Sequence, residues 1–173
     1  MKFILPAIVA AGALALGGVA TAADGPTDPQ IAHIAYTAGN IDVAAAKQAL
    51  AKSHNAAVRE FASEMVRDHE AVNDKALALV KELKVTPEDN STSQALTKGA
   101  AETHDKLAKL DGSAFDKAYV ANEVDFHSTV NSALQSTLIP SAHNDKLKSL
   151  LETGLTLFRE HQMHAEHLAT ELK

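Results

Sequence analysis

The sequence predicts an all-α protein: a four-helix bundle with one additional shorter helix between its second and third bundle helices. Three observations carry this. Apolar residues recur with the 3.6-residue period over long stretches. Gly is absent from Asn40 to Lys98 and Pro from Gln30 to Thr86. No run shows the strict alternation of a half-buried strand. As one helix, the Pro-free stretch would extend roughly 85 Å at 1.5 Å per residue. A single domain cannot hold that, so the chain must fold back. The polar, cap-forming cluster Ser53-His54-Asn55 marks the turn.

In chain order, the first 22 residues read as a secretory signal peptide and residues 23–173 as one domain. Lys2 supplies a small positive region, Phe3 to Val19 is apolar, and Ala20-Thr21-Ala22 is a small-residue cleavage signal. A periplasmic or secreted location is therefore expected. No Cys follows the site, so a lipid anchor on cysteine is excluded, and no second long apolar run predicts a membrane span. The remaining chain of about 150 residues makes one domain that buries roughly 70% of its unfolded surface.

The first bundle helix is expected to start with Asp28 as N-cap and Pro29 at its first helical position, and to run to about Lys52. Its apolar stripe is Ile31, Ile34/Ala35, Ala38, Ala45 and Ala49. The second runs from about Asn55 to Lys84, with Val58, Ala62, Met65, Val72, Ala76, Leu79 and Leu83 on one face. A loop around Pro87 follows, and Ser91-x-x-Gln94 forms a capping box for the connecting helix, which ends near Leu110 before Asp111-Gly112. The third bundle helix starts at Ser113, carries Val120, Val124, Val130 or Asn131, Leu134 and Leu138, and ends at Pro140. The fourth starts near Asn144 and carries Leu147, Leu151, Gly154, Phe158, Ala165, Leu168 and Leu172. The connecting helix is about 27 Å long, enough to span the bundle as a long crossover, as in ferritin-like bundles. A helix of that length also suits packing across one end of an up-down bundle, so both topologies stay open at this point.

Composition narrows the function. The 173 residues include 22 acidic, 16 basic and 9 His residues, with no Cys, no Trp, 4% aromatics and a net charge of −6. A nonspecific nucleic-acid binder needs a basic face and stacking aromatics, and this chain offers neither. Disulfide scaffolds and cysteine-ligated zinc are excluded outright. The apolar content of 46% is that of a folded domain, not a disordered one.

Each apolar stripe has one ionisable gap. Asp42 interrupts the first bundle helix, His69 the second, His127 the third and His161 the fourth. Counted from one end of the bundle, the four lie within about 8 Å of one another along the axis. Three imidazoles and a carboxylate at one level suit a transition-metal ion such as Zn²⁺, Cu²⁺ or Fe²⁺. Glu123, one turn before His127, and His164, one turn after His161, would add ligands or hydrogen bonds that fix imidazole tautomers. The competing reading is a metal-free polar layer that sets helix register, with Asp42 paired to a protonated His. His161-x-x-His164-x-x-His167 rotates toward solvent and reads as helix C-terminal charge complementarity. His69-Glu70 begins like a zinc-protease motif, but Asn73 stands where its second His belongs. No nucleophile elbow, phosphate loop or dinucleotide fingerprint occurs. Val66-x-x-His69-x-x-Val72-Asn73 recurs as Val124-x-x-His127-x-x-Val130-Asn131.

Phe61-Ala62-x-x-Met65-Val66-x-Asp68-His69-x-x-x-Asn73, then Phe115-Asp116-x-Ala118-Tyr119, Val124-x-x-His127 and His161 with Ala165 together resemble the bacterial domain of unknown function 4142, over about Asp28 to Leu172. The resemblance implies an exported protein with a ferritin-like fold, and so the crossover topology. It also implies that His69, His127 and His161 are the family's recurrent histidines. Asp42 stands where the family usually has Glu, and His164 where it commonly has an apolar residue. A di-iron oxidase is disfavoured, since such sites use Glu-x-x-His on two helices and the residues three before the histidines are Val66, Val124 and Phe158.

The reading is therefore an exported ferritin-like bundle that binds a transition-metal ion through Asp42, His69, His127 and His161, in metal binding or envelope stress tolerance. No catalytic motif marks it as an enzyme. The alternative is a metal-free envelope interaction protein, with a protein partner or a second copy of itself, whose polar layer is only structural.

Overall fold

The computed structural model describes residues 25–172, so the signal-peptide reading lies outside the described residues. These residues fold into five helices without strands: α1 (Asp28–Lys52), α2 (Ala56–Leu83), α3 (Ser91–Ala108), α4 (Gly112–Ala133) and α5 (Asp145–Glu171). No helix among the described residues is long and apolar enough to cross a membrane.

The α1–α2 turn falls at Ser53–Asn55. The Asn55 side chain accepts from the backbone N–H groups of Ala57 and Val58, at 3.0 and 3.2 Å, satisfying donors that have no partner inside the helix. The next connection decides the topology. At its start, Glu88 N–H donates to Pro29 O at 3.0 Å. At its far end, Lys52 donates to Ala108 O at 3.0 Å, and Gln48 donates to His104 O at 3.1 Å. Helix α3 is thus pinned to both ends of α1 and runs parallel to it along the bundle. It returns the chain to the α1–α2 turn before α4 begins. The long crossover is the observed topology, and the up-down alternative is excluded. Helix α1 packs on α2 and α4, and α5 on α4 and α2, so every adjacent pair in the square is antiparallel.

Several local expectations are corrected. Thr27, not Asp28, is the N-cap of α1, forming a capping box with Gln30. The Asp28 carboxylate instead accepts from the backbone N–H groups of His143 and Asn144, both at 2.9 Å, and so ties the start of α1 to the start of α5. The cap of α3 is Asn90 with Ser93, one residue before the expected box, because Asn90 takes the extended backbone that a cap needs. Helix α3 ends at Ala108, and the left-handed Gly112, at φ 54°, opens α4 rather than closing α3. Pro140 does not stop the chain abruptly. Since it has no N–H to donate, the backbone widens one turn earlier into a π turn at Leu134–Leu138, with Ile139 N–H bonded to Leu134 O, and helix resumes over Ile139–Ser141. On α1 the buried position is Ala46 rather than Ala45.

The core divides at mid-height. Toward the α1–α2 turn, Phe61, Met65, Phe115, Tyr119 and Leu168 pack with Ala46, Ala49 and Ala62. Toward the other end, Ile31, Ile34, Leu134, Leu147, Leu151 and Phe158 form a second cluster. Burying each large side chain contributes about 1.5–3 kcal/mol. Between the clusters lies a polar layer.

Candidate metal centre

Each bundle helix sends an ionisable side chain into that layer. Asp42 comes from α1, His69 from α2, His127 and Glu123 from α4, and His161 from α5, and none is more than 3% exposed. The three imidazoles form a nearly equilateral triangle, with ring centroids 5.3, 5.5 and 5.6 Å apart. The middle of such a triangle lies about 3.2 Å from each centroid. That distance is close to a Zn–N bond of about 2.0–2.1 Å plus the roughly 1.1 Å from ring centre to nitrogen. Asp42 Oδ2 sits 3.6 Å from both His69 Nε2 and His127 Nε2. This is too long for a hydrogen bond and close to the roughly 3.3 Å edge of a tetrahedral shell with bonds of that length. Each of the three imidazoles offers a nitrogen within 4.8 Å of those of the other two.

The hydrogen bonds select the tautomers. His127 Nδ1 lies 3.0 Å from Glu123 O, a carbonyl that only accepts, so Nδ1 carries the proton and Nε2 keeps its lone pair. His161 Nε2 lies 3.1 Å from Asp68 Oδ2. Asp68 is gripped by Arg67 at 2.7 and 3.0 Å, which holds its carboxyl below the usual range and ionised. His161 Nε2 therefore donates, and Nδ1 keeps its lone pair. A carboxylate behind an imidazole in this way fixes the ring and raises its basicity as a ligand.

What remains is short of partners among the described residues. Both ring nitrogens of His69, His127 Nε2 and His161 Nδ1 are buried and unpaired, and the buried Asp42 carboxyl has only the Glu123 carboxyl to pair with, through a shared proton. Buried polar groups left so are costly, and each needs an explanation. Burial drives the imidazoles toward the neutral form, His69 down to about 2 and His127 to about 4, and it also lowers His161, against the pull of Asp68. All three are neutral at pH 7, the state that binds metals. Burial pushes Asp42 up to about 7, and burial with the neighbouring Asp42 carboxylate pushes Glu123 well above its usual value. Tyr119, whose hydroxyl is also unpaired, is raised by burial first and by these two carboxyls second.

The structure thus brings Asp42, His69, His127 and His161 together and turns Glu123 inward, where it forms a second triad with Asp42 and His127. It does not bring in His164. That ring is 43% exposed, bonded through Nδ1 to Glu64 at 2.8 Å and set edge-on against Phe61. Three residues past His161, it leans around α5 toward α2 rather than inward. Sequence reasoning missed Asp68 as the support of His161. Its position beside His69 gave the only hint, since a residue next to a core position usually faces solvent.

A family model described as a domain of unknown function (DUF4142) matches residues 14–168. No curated protein matches the chain, and no solved structure does.

Proposed function

We propose that this chain, which belongs to the DUF4142 family, is an exported protein that holds one transition-metal ion in its bundle core. Asp42, His69, His127 and His161 are the ligands. Asp68 and the Glu123 carbonyl fix two of the imidazoles, and the Glu123 carboxyl lies beside the ion. The role is metal binding or envelope stress tolerance rather than turnover of an organic substrate. One observation carries the reading: Asp42 Oδ2 lies 3.6 Å from both His69 Nε2 and His127 Nε2, the His161 ring stands beside those two imidazoles, and a single cation would satisfy these buried groups together. Imidazole with carboxylate suits Zn²⁺, Cu²⁺ or Fe²⁺, and the affinity order places Cu²⁺ first.

Elemental analysis after exposure of the untagged protein to each ion tests this. The expectation is near one tightly held ion per chain, lost in His127→Ala. Substoichiometric metal that washes away, equally in His127→Ala, would leave the layer as a metal-free device for helix register.

A further inference from the structure

A cavity of about 560 Å³ lies inside the bundle on the side of the polar layer away from the α1–α2 turn. Its walls come from α1, α2, the α4–π segment and α5, with Ile34, Val72, Leu134, Leu147 and Leu151 among them, and no charged residue lines it among the described residues. It runs from the exposed Ser91 and half-buried Gln30 to His69, His127 and Phe158. From Leu147 to Phe158 along α5 it extends about 16 Å. At C–C bonds of about 1.5 Å, this is the length of a chain of roughly ten to fourteen carbons.

Two features point to an occupant. Protein interiors are normally filled to crystal density, whereas here a solvent-connected apolar cleft reaches inward as far as the polar layer. The apolar residues of the second half of α2, Val72, Ala76 and Leu79, are also only half-buried, although their periodicity directs them inward. Val72 and Leu79 pack on the second core cluster with one side and border the cavity with the other. At the inner end, His69 is 3% exposed and stacked on Phe158 with ring planes 6° apart, and neither of its nitrogens has a partner. A neutral imidazole offers one N–H donor there, which calls for an oxygen acceptor at the end of an otherwise aliphatic molecule.

We propose that this cavity binds a straight-chain fatty acid, with its carboxyl head against His69 and its chain lying along α5 toward Leu147. Volumes of about 300–1,000 Å³ with apolar walls and a few convergent polar groups are those of ligand sites. The chain's place rests on the cavity alone. The head's place does not rest on the metal reading either: it takes the His69 N–H, while an ion would sit at the other ring nitrogen, on the Asp42 side.

The test uses dodecanoate and the metal-free protein, so it does not depend on the ion. Isothermal titration is expected to show saturable binding near one per chain. Ala76→Phe on α2 and Ala35→Phe on α1 both push a ring into the cavity from half-exposed positions. Each is expected to weaken binding at least tenfold while keeping far-UV circular dichroism and metal uptake unchanged. Nuclear Overhauser contacts should join the dodecanoate C2 protons to the His69 ring and its terminal methyl to Leu147. No saturable binding, undiminished binding in both folded variants, or the reverse contact pattern would each overturn the proposal. Dodecanoate binding without metal uptake would defeat the metal reading instead.

Discussion

The two ends of the bundle are built from similar residues and are filled differently. Around Phe61, Met65, Phe115 and Tyr119, each fully buried, side chains interdigitate and α1 contributes alanines that let its neighbours approach. Beyond the imidazoles, leucines of the π turn and α5 and the second half of α2 surround a cavity. The polar layer is the boundary between a solid half and a hollow one. The solid half holds α1, α2, α4 and α5 at fixed spacing directly beside the layer, so Asp42, His69, His127 and His161 are held in place from four helices. The hollow half offers room for a molecule to reach the same layer.

The largest expected effect breaks the comparison by truncating one leucine at each end. Leu168, 2% exposed, packs in the solid half, and Leu151, 5% exposed, borders the cavity. Leu168→Ala should cost about 4 kcal/mol and Leu151→Ala about 2 kcal/mol, because the second enlarges a space that already exists. Urea unfolding of both variants checks this, and equal losses would show the two halves to be packed alike.

A smaller effect sharpens the role of the solid half in fixing the ligands. Asp68→Asn keeps the shape but removes the charge that orients His161, and should weaken metal binding 10–100-fold with little change in unfolding midpoint of the metal-free protein. Competition with a chelator measures it.

The boundary layer should also respond to pH, with a sign set by which groups resist charging. In the metal-free protein His127 and His69 refuse protons that the unfolded chain takes up near 6.5. Their contribution to stability is therefore complete above 6.5 and lost as pH falls toward about 4 and about 2. Asp42 acts oppositely: its burial is best tolerated when protonated, so its contribution is complete below 3.8 and lost as pH rises through about 7. Metal binding needs neutral imidazoles and an ionised Asp42. The rise in melting temperature caused by metal should thus grow by a few degrees between pH 6 and 8 and vanish by about pH 4. Asp42→Asn should abolish the growth near pH 7. Melting curves with and without metal across that range read both.

Much of this architecture is legible in the residues because it is local. Ser53–Asn55, Pro87 and Asn144 are punctuation, and the gaps at Asp42, His69, His127 and His161 follow from a period that every helix obeys. The parts that were not legible depend on tertiary neighbours. Asp28 has the composition of a cap for its own helix, yet it serves residues 115 and 116 positions away. Ala45 and Ala46 exchange places because a long helix drifts against any fixed count. His164 lies one turn from a core residue, but Glu64 and Phe61 on α2 capture it. The cavity has no signature at all: Val72, Ala76 and Leu79 read as an ordinary core stripe, and periodicity assigns a face without saying whether anything fills the space before it.

X-ray absorption fine structure at the metal edge of the loaded protein reads the shell formed by Asp42, His69, His127 and His161 directly. One ion with three imidazole nitrogens and at least one carboxylate oxygen at about 2.0–2.2 Å is expected, with loss of one imidazole's scattering in His161→Ala. A shell with one imidazole or none, or one unchanged by His69→Ala, His127→Ala and His161→Ala alike, would contradict the assignment of these four ligands.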